Sequence, residues 1–162
     1  MTGRSRILVV AQDQKVSEKL TSWAKALGHQ VALATTFAGG RSQLEAAPDL
    51  LVAEVKLGEY NGLHLALRAQ AVGVPAIVIG PADPVLEREA KALGARYFAT
   101  PVGRARIVDA MQQALDASAP TARRASNLLV TTIAAEAEVM WRAFSRSPGT
   151  GAYAPGRSLL PN

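Results

Sequence analysis

Five short apolar runs, each followed by a stretch with helical spacing, constrain this chain more than any other feature. Arg6 to Val10 reads Arg-Ile-Leu-Val-Val, after which Val16, Leu20, Trp23, Ala24 and Leu27 recur at the three- and four-residue intervals of one helix face. Asp13 stands where an N-cap carboxylate belongs, and Gly28 where a left-handed residue ends the helix. The alternation continues with a strand from His29 to Thr35, a helix from Phe37 to Ala47 weakened by Gly39-Gly40, and a strand from Leu50 to Val55. Gly58 to Gly62 is a turn cluster, and Leu63, Leu65, Ala66, Leu67 and Ala69 predict a third helix ending near Gly73. Pro75 to Ile79 is a fourth strand. Asp83-Pro84 opens a fourth helix that Gly94 stops, Arg96 to Ala99 is a fifth strand, and Ile107, Met111 and Leu115 stripe a fifth helix to about Ala117.

Strands apolar along their whole length need cover on both faces, and strands that alternate with helices pair in parallel through right-handed crossovers. The expected fold is therefore α/β, a doubly wound five-stranded parallel sheet with helices on both faces. In such a sheet ligands meet the carboxyl ends of the strands. With 49 % hydrophobic and 19 % charged residues, the chain has enough apolar material for one packed core. The absence of cysteine excludes disulfides and thiol chemistry. No apolar run approaches the roughly 20 residues of a membrane span, and the N-terminus has no signal-peptide core, so a soluble cytoplasmic protein with no membrane partner is expected. Residues 1–117 carry 13 Lys and Arg against 11 Asp and Glu, so most of the net charge of +5 lies in the tail.

Six segments carry a resemblance: Ile7-Leu8-Val9-Val10, Pro48-Asp49-Leu50-Leu51-Val52-Ala53-Glu54-Val55, Asn61-Gly62-Leu63, Pro75-Ala76-Ile77-Val78-Ile79, Leu93-Gly94-Ala95 and Tyr97-Phe98-Ala99-Thr100-Pro101. In order and separation they resemble the response-regulator receiver domain from Arg6 to about Ala117, a resemblance that implies the strand order 2-1-3-4-5. Receivers pass a phosphoryl group from a histidine kinase to an aspartate. An acidic pair after the first strand holds magnesium, and a lysine and a hydroxyl bind the phosphoryl oxygens. Carried onto this chain, the acidic pair falls on Ala11 and Gln12, with Asp13 one residue late and better suited to capping. The phosphoacceptor is Glu54, whose extra methylene shifts the carboxylate by roughly 1.5 Å, one carbon–carbon bond. The hydroxyl position is Gly80 and the lysine position Thr100, while Tyr97 keeps the place of the aromatic that turns inward on phosphorylation.

The resemblance thus implies a degenerate pseudo-receiver with no catalytic residues, no metal site and no cofactor. Two readings of Glu54 stand side by side: a mimic of the phosphorylated aspartate, or a partly solvated acid without a signalling role. The functional expectation is a non-enzymatic, phosphorylation-independent module that meets a signalling kinase or effector, or pairs with itself as a homodimer. Receivers commonly dock on the face between the fourth helix and fifth strand, which points to Ala90, Leu93, Tyr97 and Arg104. Two other readings stay open: a receiver with residual phosphoryl, metal or small-anion binding at Glu54 and Asp13, and a basic adaptor on nucleic acid.

Beyond the receiver-like part, 1–117, the segment 118–146 places Leu129, Ile133, Ala137, Met140, Trp141 and Phe144 at helical spacing, an extra amphipathic C-terminal helix suited to a dimer or partner helix. It has no second helix for a helix-turn-helix and its arginines are spread, which argues against nucleic-acid reading. Residues 147–162 are Gly/Pro/Ser-rich and read as a flexible tail. His29 and His64 lack acidic partners at ligand spacing and read as surface histidines, Trp23 as a core or edge anchor, and Gly149-Thr150-Gly151 as linker rather than a phosphate loop.

Overall fold

The computed structural model describes residues 4–118. β1 (Arg6–Val10), α1 (Gln14–Ala26), β2 (Gln30–Ala34), α2 (Phe37–Leu44) and β3 (Leu50–Glu54) follow in turn. After them come a short hairpin of β4 (Lys56–Leu57) and β5 (Tyr60–Asn61), then α3 (Leu63–Ala71), β6 (Ala76–Gly80), α4 (Pro84–Ala92), β7 (Arg96–Ala99) and α5 (Arg104–Ala117). The main sheet is parallel throughout and ordered β2-β1-β3-β6-β7. With the hairpin set aside, this is the expected 2-1-3-4-5.

Successive strand side chains point to opposite faces, so each central strand feeds two cores. Leu8, Val10, Leu51, Ala53 and Val78 pack with Leu44 of α2, Leu65 of α3 and Ala90 of α4. Ile7, Val9, Leu50, Val52, Ile77 and Ile79 pack on the other face with Leu20 of α1 and Ile107 and Met111 of α5. Trp23 packs against this second core, as its spacing suggested.

The helix ends follow local chemistry. Asp13 caps α1 by accepting from the Val16 N–H at 3.1 Å, and Gly28 closes it with φ of +84°. Asp83 caps α4 in front of Pro84. α2 is shorter than expected: it stops at Leu44, and the chain turns through Ala47 (φ +45°) before Pro48. Its Gly40 has a packing reason, because a Cβ there would lie 2.8 Å from Val10 Cγ2 and 3.2 Å from Leu65 Cδ1. The turn cluster after β3 also holds more structure than its composition suggested, since Lys56 and Leu57 pair antiparallel with Asn61 and Tyr60.

The expected sixth helix over 118–146, with Leu129, Ile133, Met140, Trp141 and Phe144, lies outside the described residues except for Ser118, the C-cap of α5. The tail 147–162 lies outside them as well. Among the described residues no helix is long and apolar enough to cross a membrane.

Candidate functional site

At the carboxyl ends of β1, β3 and β6 the sheet brings together Ala11, Gln12, Asp13, Glu54 and Gly80. Glu54 ends β3, and its Oε2 accepts from two successive main-chain amides, Gln12 N–H at 3.0 Å and Asp13 N–H at 3.1 Å. Adjacent amides turned the same way form an anion-binding concavity, and here they precede α1, where the helix dipole adds positive potential. The additional methylene that Glu has over Asp is thus spent on reaching the β1–α1 loop of its own chain.

The neighbouring side chains are committed elsewhere. Ala11 is fully buried and its N–H donates to the Ala34 carbonyl at 3.1 Å. Gln12 Oε1 accepts from the Gly58 N–H at 2.7 Å, tying the β1–α1 loop to the β4–β5 hairpin. Asp13 spends its carboxylate on the α1 cap. A magnesium ion needs several hard oxygen donors converging in near-octahedral geometry. Among the described residues no three of His, Asp or Glu converge in this way, so the residues present do not fit the magnesium that receivers hold.

Gly80, at the hydroxyl position, is filled by its neighbours. A Cβ there would lie 2.6 Å from Tyr97 Oη, 2.6 Å from Val55 Cγ2 and 3.0 Å from Val55 Cβ. Tyr97 on β7 packs against the α3/α4-side core, and its hydroxyl donates to the Pro81 carbonyl. The glycine therefore supplies the space that the Tyr97 hydroxyl and Val55 occupy, and the Pro81 carbonyl accepts the hydroxyl's bond. Thr100 does not replace the lysine, because its N–H and hydroxyl both turn to the Gly80 carbonyl, at 2.8 and 3.2 Å. The Thr100–Pro101 peptide is cis.

Burial pushes the Tyr97 phenol above its ordinary value of 10.0, and the carboxylates of Asp83 and Glu87 push the same way. The folded chain therefore holds this proton more tightly than the unfolded chain. The corresponding stability is complete below the unfolded value and is lost as pH rises through the folded one. Denaturant titrations between about pH 9 and about pH 11 are expected to show a decline that Tyr97→Phe flattens.

Truncating Glu54 tests the loop bonds directly. Glu54→Ala frees two solvent-reachable amides and removes a charge-assisted acceptor, with an expected loss of about 1–2 kcal/mol. Amide exchange at Gln12 and Asp13 should accelerate far more than exchange at Val9. Equal exchange in both proteins would show that the carboxylate does not hold the loop.

Of the surface candidates, Arg104 is exposed and Leu93 is half-buried against the core. Ala90 requires a correction: it is 0 % exposed and is the one buried residue of α4, so it packs inward and presents nothing to a partner. His64 meets the Phe37 ring edge-on, and His29 stands at the start of β2, remote from it in sequence. The residues missed by sequence reasoning are Gln12 in its cross-linking role, Val55, and Gly62, whose N–H donates to the Val55 carbonyl at 2.7 Å.

The fold is that of response-regulator receiver domains. A response regulator receiver domain protein (CheY-like) from Methanospirillum hungatei matches with a TM-score of 0.67 at 22 % identity, covering 72 % of this chain and 97 % of that one. A two-component response regulator from Clostridium difficile matches with a TM-score of 0.65 at 18 % identity, covering 70 % and 97 %. No protein-family model matches the chain, and neither does any curated protein sequence.

Proposed function

We propose that this chain is a pseudo-receiver: a cytoplasmic, non-enzymatic module of two-component type that works through protein contact and without phosphotransfer. The observation that carries the reading is the Glu54 carboxylate bound to the Gln12 and Asp13 amides. A phosphoacceptor must be free to attack phosphorus in line, with a cation and fixed positive groups to meet the transferred oxygens. Here the acceptor position is held by its own loop, Ala11 and Gln12 bring no carboxylate, and Gly80 and Thr100 bring no phosphoryl clamp.

The direct loop contact also supports a single resting arrangement. Where receivers join the β1–α1 loop to the end of β3 through an ion, Glu54 and Gln12 join the loop to β3 and to the hairpin by hydrogen bonds. Glu54 then acts as an internal tie rather than as an idle surface acid. Partners are assigned to the α4–β7 face, around Leu93, Tyr97 and Arg104, and to the 118–146 segment with Leu129, Ile133, Met140, Trp141 and Phe144. The same segment is assigned the homodimer contact.

Intact-protein mass spectrometry after incubation with magnesium and acetyl phosphate tests the reading. Wild type and Glu54→Asp are both expected to stay unmodified, since shortening the acid restores neither the acidic pair nor the clamp. A labile adduct of one phosphoryl group on the wild type would overturn it. Light scattering on the full chain should give the dimer mass, and a monomer at high concentration removes the dimer assignment.

A further inference from the structure

The outer surface of α2 and α3 carries an open groove of about 800 Å³ that the site above does not use. Its upper end is apolar and aromatic. Phe37, the first residue of α2, stacks on Tyr60 of β5 with ring centroids 4.7 Å apart and planes 16° apart, and Tyr60 remains 56 % exposed. Leu67, one turn into α3, is 50 % exposed. Solvent-facing side chains of this size, brought together in one groove, mark an interaction surface.

One turn further along each helix the groove becomes cationic. Arg41 stands four residues after Phe37 and Arg68 four residues after His64, so each lies on the same helix face as its predecessor. Both line the groove, and neither is in an ion pair with another described residue. Glu45 is the one acid in the lining, at the far end of α2. Two arginines beside an exposed tyrosine, itself stacked on the half-buried Phe37, match a partner that offers carboxylates one helical turn from an aromatic side chain.

We infer that the α2–α3 groove docks an acidic amphipathic helix of a protein partner, its aromatic side chain against Tyr60 and Leu67 and its carboxylates against Arg41 and Arg68. The inference rests on the contact-based reading above and names a recognition surface for it. The groove is joined to the Glu54 site through one hydrogen-bonded route. Tyr60 lies opposite Leu57 in the hairpin, and Gly58 of the same hairpin donates to Gln12, whose own N–H donates to Glu54.

The probe is a fluorescein-labelled helix-forming peptide of about 16 residues carrying one Trp with Glu three and four residues away. Two control peptides replace the Glu residues by Lys or the Trp by Ala. Anisotropy titrations on the full chain, in low salt with EDTA and no phosphodonor, should give saturable binding, weakened about tenfold or more in both controls. Amide shift changes should centre on Tyr60, Arg41 and Arg68. Arg41→Glu/Arg68→Glu, two exposed positions, should weaken the acidic peptide by a similar factor and strengthen the Lys peptide. No saturable binding, or equal binding by the charge-reversed variant, overturns the groove. Peptide binding and phosphoryl uptake are read separately: failed binding by an unmodified protein refutes the groove alone, whereas a phosphoryl adduct refutes the contact-only reading.

Discussion

Replacing Gly62 by alanine is expected to cost the domain about 3 kcal/mol or more, among the largest effects of any single methyl group here. The added Cβ would fall within the van der Waals envelope of the Glu54 carbonyl oxygen, 3.0 Å from the Glu54 carbonyl carbon and 3.3 Å from Val55 Cα. These are backbone atoms at the end of a central strand, and they cannot move aside as a flexible side chain does. The Gly62 N–H also donates to the Val55 carbonyl at 2.7 Å, so pushing the two segments apart breaks a bond as well as a contact. Denaturant midpoints should fall accordingly, and Glu54 should lose its alignment with the Gln12 and Asp13 amides. Gly58→Ala is the comparison. Gly58 has open space around it but a φ of +67°, so its cost is the left-handed penalty alone, about 1 kcal/mol. Equal midpoints for the two variants would contradict the close packing at Gly62.

Returning a hydroxyl to the end of β6 is expected to dislodge the aromatic ring rather than rebuild a phosphoryl site. Gly80→Thr places a Cβ 2.6 Å from both Tyr97 Oη and Val55 Cγ2, and further atoms beyond it. Overpacking of this kind costs about 2–3 kcal/mol. Because one of the two obstructing atoms is the Tyr97 hydroxyl oxygen, the cost should be shared unequally with Tyr97→Phe. In the pair Gly80→Ala and Tyr97→Phe, the double variant should be more stable than the sum of single effects by about 1 kcal/mol. Additive effects would show that the hydroxyl is not against Gly80. Tyr97 fluorescence in Gly80→Thr should report a more solvated ring, and the alkaline decline in stability attached to its raised phenol should shrink with it.

The Gly80 variants bear on why the Tyr97 hydroxyl stands where it does. Here Gly80 opens the space and the Pro81 carbonyl accepts the Tyr97 hydroxyl bond without any added group. Together with Glu54 on the loop amides, these contacts are all made by the chain's own atoms.

Much of the framework was legible from sequence, because its causes are local. β-branched runs such as Ile7 to Val10 and Ala76 to Ile79 have only strand as a good solution, and the spacing of Val16, Leu20 and Trp23 only helix. Asp13, Gly28, Asp83 with Pro84, and Gly94 mark helix ends through interactions within a few residues. The parallel pairing followed from strands with no polar face, and the strand order from the resemblance to receiver domains. The residue types at Ala11, Gln12, Gly80 and Thr100 were equally legible, since the absence of a carboxylate or an ammonium there shows in the residue itself.

What only the tertiary structure decided lies in contacts between residues far apart in the chain. Glu54 and Gln12 are separated by 42 positions and Gln12 and Gly58 by 46, and no periodicity encodes which acceptor meets which amide. The hairpin within Lys56 to Asn61 is too short for an alternation pattern and forms because Gly62 packs on the Glu54–Val55 peptide. Ala90 reads as a small residue on an amphipathic helix, and only the packing of α4 on the sheet shows that it faces the core. The sequence by itself determined the elements and the residue types that line the carboxyl ends of the strands. The tertiary structure decided which of these residues meet, because packing and hydrogen-bond geometry are set by the distance between residues in space, not along the chain.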